Sequence, residues 1–98
     1  MTRDQAIRIL RRHADALRAR GVIRLEIVGS MARGDARADS DIDLLADIDT
    51  NRRFSLIDHS GLRLFCCDLL NREADVLIRN AIDARLLDRL QGDAARVF

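Results

Sequence analysis

Asp41 and Asp43 stand two residues apart in a run whose other members are Ile42, Leu44, Ala46 and Ile48. In an extended strand, residues i and i+2 share a face and lie roughly 6.5–7 Å apart. Two carboxylates at that spacing can hold one or two hard cations, and two cations about 3.5–4 Å apart form the usual clamp for phosphoryl transfer. Every candidate ligand is an oxygen, so magnesium is the expected metal. A bare Asp-x-Asp is more often the solvated side of an amphipathic strand. Aspartate is nevertheless depleted in strands, and Asp41, Asp43, Asp47 and Asp49 alternate around Leu45. Asp47 and Asp49, further along, are expected to be solvated.

Ten residues before this pair, Gly29-Ser30 closes an earlier apolar strand. Glycine lets a backbone approach a phosphate closely, and a helical turn starting at Ser30 would direct free N–H groups at an anion. Alone, Gly-Ser is a simple turn. Arg33 follows, and its fork of donors suits the oxygens of a triphosphate, or else it is an exposed loop arginine. Asp75 lies in the short strand-like run ADVLI and is a third acid, either a metal ligand or a general base for an attacking hydroxyl. Three carboxylates and a triphosphate are compatible only with a divalent cation between them. His13 and His59 have no partner pattern for metal or triad chemistry. Cys66 and Cys67 are expected in a helix, as packing residues rather than nucleophiles.

These residues need elements to hold them. Thr2 and Gln5 form a capping box for a helix from about Arg3 to Arg20, with Ile7, Leu10, Ala14 and Leu17 as its apolar stripe. Val22–Val28 is a strand in which Ile23, Leu25 and Ile27 alternate with Arg24 and Glu26. A short helical turn and a loop lead to a second strand over Asp41–Asp49. Ser55 with Asp58 starts a helix that buries Leu62, Phe65, Cys66 and Leu69 and ends at Asn71. Ala74–Ile78 is a third strand, with Asp75 and Leu77 on one face and Val76 and Ile78 on the other. Asp83 caps a last helix to about Leu90, closed by Gly92, and Val97-Phe98 is a short edge strand.

At 98 residues the chain is expected to be a single domain spanning 1–98. Its 17 basic residues are all arginine and nearly cancel 16 acids. A net charge of +1 argues against a dedicated nucleic-acid binder. No stretch approaches the roughly 18 apolar residues of a membrane span. Adjacent cysteines rarely have disulfide geometry, and a reduced, cytoplasmic setting is the expectation.

The run IVGSMARGDARADSDIDLL resembles the signature of the DNA polymerase beta-like nucleotidyltransferase superfamily: Gly-Ser, about ten residues, then Asp-x-Asp in an apolar strand. With the later ADVLI and the short length, the chain resembles its minimal nucleotidyltransferase (MNT) branch over nearly its whole extent. The resemblance implies an α/β (α+β) fold, a small mixed sheet with helices packed on it. It makes Asp41 and Asp43 the Mg2+ ligands, Asp75 the third carboxylate, and places Gly29 and Ser30 at the phosphates of ATP. Members of this branch are often paired with a helical HEPN toxin. The implied role is an antitoxin that transfers AMP to a tyrosine of its partner, or one that neutralises the partner by binding alone. Aminoglycoside-modifying relatives make a small hydroxyl compound the other candidate acceptor. An apolar helix face is expected to serve a partner or a homo-oligomer.

Overall fold

The computed structural model describes all 98 residues. Thr2 caps α1 (Arg3–Arg12) through the expected reciprocal box with Gln5. The single long helix expected here is two. His13 leaves helical geometry at φ −110°, ψ 21°, its ring nitrogen lies 3.0 Å from the Ile9 carbonyl, and α2 (Ala14–Ala19) starts anew. A side chain that bonds the preceding turn competes with the helix ladder for that carbonyl.

Strand β1 runs Val22–Val28, but with an irregular register between Val22 and Arg24. This bulge throws Ile23 out to 60% exposure and puts Val22 in the core in its place. The half-buried alternation expected from Ile23 is not observed: from Leu25 to Val28 every residue is buried, Glu26 included. Helix α3 (Gly29–Arg33) follows at once, then strand β2 (Ile42–Ile48). Helix α4 (Leu56–Leu70) carries the Ser55/Asp58 capping box and ends on Asn71 at φ 52°. Strand β3 (Ala74–Ile78) leads through a 3-10 turn at Arg79–Ala81 to α5 (Ala84–Gln91), capped by Asp83. The last strand, β4, is Ala95–Arg96 rather than Val97-Phe98; the latter pair continues along Leu25 through Val97 N–H to the Leu25 carbonyl at 2.8 Å.

The sheet has the order β3-β2-β1-β4. β1 is antiparallel to both β2 and β4, and β2 is parallel to β3, with α4 as the crossover. One core joins Ala6 and Leu10 of α1 and Leu62, Cys66 and Leu70 of α4 to Leu25, Ile27, Ile42, Leu44 and Val76 of the sheet. Helices α1 and α4 thus pack on one face. The opposite face presents Glu26 and Val28 of β1, Asp43, Leu45 and Asp47 of β2, and Asp75 and Leu77 of β3, by strand alternation.

Candidate active site

Sheet register decides which of the expected residues meet. Val28, the last residue of β1, pairs with Asp43, and Asp43 pairs in parallel register with Asp75. Neighbouring strands lie about 4.8 Å apart, so the two carboxylates stand side by side on the face opposite α1 and α4. Asp41 is one residue ahead of β2, exposed, and adds its charge from the loop. The end of β1 and the starts of β2 and β3 therefore converge at one end of the sheet.

Gly29 is the reason the chain can turn there. It has φ +72°, and a Cβ built on it would lie 2.7 Å from Asp43 Oδ2. Only glycine accepts that backbone without strain and leaves room for the carboxylate. Ser30 follows on the first turn of α3, and Val28, the N-cap, offers no side-chain acceptor to the turn's amides. Arg33, on the last turn, is half-exposed and donates from Nε to Asp35 Oδ2 at 3.3 Å, so it is engaged within its own loop.

The electrostatics at Asp43 are set by burial and by like charges. Burial first, then the charges of Asp75 and Asp41, push the Asp43 carboxyl above the usual carboxylate range. None of the three acids takes part in any ion pair of the chain, whereas Glu26, Asp35, Asp47 and Glu73 all do. Unpaired, mutually repelling carboxylates with an all-oxygen donor set fit a hard divalent ion. The side chains do not by themselves close a three-ligand cage. A cation there has to complete its shell with water and phosphate oxygens, the ordinary habit of magnesium.

Other residues enter that the sequence alone did not single out. Glu26, only 6% exposed, is paired by Arg79 and, at 3.5 Å, by Arg24. Arg79 also donates to Asp47 at 2.6 Å and to Gln91 at 2.9 Å. Asp47 is thus half-buried and paired, not solvated as expected. Asp49 accepts the Asn51 amide at 2.9 Å. An acid in the middle of an apolar strand was the one available signal for Glu26. A cleft of about 410 Å³ lies at the far end of β2 and β3, between Ile48, Phe54, Leu56 and Ile78. Asp49 is the one acid in its lining, and it includes none of Asp41, Asp43 and Asp75.

Residues 10–95 match the family model described as a nucleotidyltransferase domain. A Methanocaldococcus jannaschii protein, provisionally named a protein adenylyltransferase, is 37% identical over 78 residues, covering 80% of this chain and 82% of its own. Among solved structures, a protein provisionally named a minimal nucleotidyltransferase superposes with a TM-score of 0.78 at 33% identity, covering 97% of this chain and 95% of its own. A chain from the complex of a tri-AMPylated Shewanella oneidensis HEPN toxin with its MNT antitoxin shares the fold, with a TM-score of 0.68 at 13% identity over 94% of this chain and 71% of its own.

Proposed function

This chain belongs to the nucleotidyltransferase domain family, and from that premise we propose that it is a protein adenylyltransferase that moves AMP from ATP to a hydroxyl of a HEPN-type partner. One observation carries the reading: the in-register Asp43 and Asp75, with Asp43 packed against the glycine that ends β1. Asp41 and Asp43 hold Mg2+, with Asp75 as the third carboxylate. A bound divalent cation would supply charge neutralisation and polarisation of the α-phosphate.

The chain's own residues do the rest. Gly29 lets the backbone come close to the phosphates, and Ser30 and the uncapped first turn of α3 offer donors to them. Arg33 lies within the same segment and is the candidate partner for the triphosphate tail once it leaves Asp35. The acceptor oxygen bonds to the α-phosphorus as the bond to the β-phosphate oxygen breaks, and pyrophosphate departs. Asp75, the exposed member of the strand pair, takes the acceptor's proton. Most of the acceleration then comes from positioning and charge.

A helical toxin as acceptor is supported by the fold shared with the MNT antitoxin of the AMPylated complex. A cytoplasmic setting belongs to the same reading, supported by two free cysteines and by the lack of any helix long and apolar enough to cross a membrane. The test is α-phosphate-labelled ATP with magnesium and the product of the neighbouring gene. Label on that protein, lost in both Asp41→Ala and Asp43→Ala, is expected. Co-purification without label would point to neutralisation by binding alone. Turnover on a small hydroxyl compound without any partner would replace the protein acceptor.

A further inference from the structure

Asp41 precedes β2, and the ladder to β3 starts only at Ile42, whose N–H donates to the Glu73 carbonyl at 3.1 Å. The strand pairing that fixes Asp43 and Asp75 therefore does not reach Asp41. The loop behind it, residues 34–40, has its own turn: Ser40 N–H to the Arg37 carbonyl and Arg37 N–H to Ser40 Oγ, both 3.0 Å. That turn shapes the loop without tying it to the sheet.

The tie comes from Arg72. This half-buried residue lies between α4 and β3, three positions before Asp75. Its Nη2 donates to the Ala38 carbonyl at 2.9 Å and to the Ser40 carbonyl. Arg72 belongs to none of the chain's ion pairs, so its donors serve backbone oxygens. A guanidinium presents several donors in one rigid plane, which a lysine ammonium does not. One side chain thus joins the segment carrying Asp41 to the segment carrying Asp75.

We propose that Arg72 is a positioning residue of the cation site, a buckle that holds Asp41 beside Asp43 and thereby sets divalent-cation affinity. The inference rests on the metal-binding role assigned above to Asp41 and Asp43. Residues that orient metal ligands typically alter affinity by 10–100-fold when removed.

The test is Mn2+ binding, followed by electron paramagnetic resonance with a non-hydrolysable ATP analogue present, on the full chain. Arg72→Ala should weaken Mn2+ binding by about tenfold. It should also speed amide exchange at Ser40 and Ile42, and raise the magnesium needed for half-maximal transfer while saturating magnesium restores kcat. Arg72→Lys should recover part of the affinity. Should Arg72→Ala not fold, Arg72→Met keeps the packed stem and is read by the same criteria. Wild-type Mn2+ affinity in these variants, with or without a lower Tm, would overturn the proposal and leave the metal site standing. A wild-type chain that binds no Mn2+ with nucleotide would overturn both.

Discussion

Asp43 sits where burial and two like charges oppose its ionised form. Its pKa is raised on folding, so the folded chain binds the proton more tightly than the unfolded chain does. The resulting stability is fully present below the unfolded pKa and is lost as pH rises through the raised folded value. At neutral pH, without metal, the charged Asp43 therefore costs stability. Asp43→Asn should raise metal-free stability by no more than about 1 kcal/mol, because the charges of exposed Asp41 and Asp75 are screened, seen as a slightly higher Tm, while abolishing AMP transfer. A metal-free melt that falls would contradict this. Gly29→Ala should do the reverse on stability. It forces φ +72° on a side-chain-bearing residue and a contact with Asp43, costing about 1–3 kcal/mol, read by urea denaturation. That Asp41, Asp43 and Gly29 lie near one another was legible because they are close in sequence on adjacent elements. Asp75 was visible as an acid, but that it faces Asp43 became visible only with the parallel register.

At the scale of elements, local signals carried well. Ser55/Asp58, Asn71, and the bounds of β1 and β3 all follow from capping, turn and alternation rules. Ser55→Ala should cost about 1 kcal/mol in thermal melts and leave transfer unchanged, since it removes only the α4 cap. What failed to show in advance was set by tertiary partners. His13 breaks a helix whose apolar stripe runs on, and the bulge at Ile23 depends on pairing with β2. The Glu26–Arg79–Asp47 network ties β1 and β2 to the turn that leaves β3, and no local pattern predicts a contact over 53 residues. Arg79→Met leaves the nearly buried Glu26 with only the 3.5 Å contact to Arg24 and takes the partner from Asp47, and should cost up to about 3 kcal/mol. Adding Glu26→Gln should recover most of that in a double-mutant cycle. Independent, additive losses would show that the pair is not coupled.

For the whole molecule, ligand linkage is the sensitive probe. Nucleotide with magnesium at about a hundred times its Kd should stabilise the chain by about 2.7 kcal/mol, seen as a higher Tm. The gain should shrink sharply with EDTA, because phosphates then meet three unneutralised acids. A rise unaffected by EDTA would argue against a metal-bridged site. Cys66 is buried, and burial with the neighbouring Cys67 pushes its thiol up to about 12. It should resist alkylation at pH 8 until the chain unfolds, whereas half-buried Cys67 should label earlier.

The strand order has a consequence for how the chain comes to be folded on the ribosome. β1 carries the glycine turn of the site and occupies an inner position of the sheet, yet one of its two neighbours is built from Ala95–Arg96. Until that segment has been synthesised, β1 has an open edge of unpaired amides and carbonyls, the kind of edge that recruits foreign strands. Asp41, Asp43 and Asp75 are all translated before the sheet around them is complete. A nascent chain stalled ahead of β4 would hold every residue of the site while remaining prone to pair with its own kind.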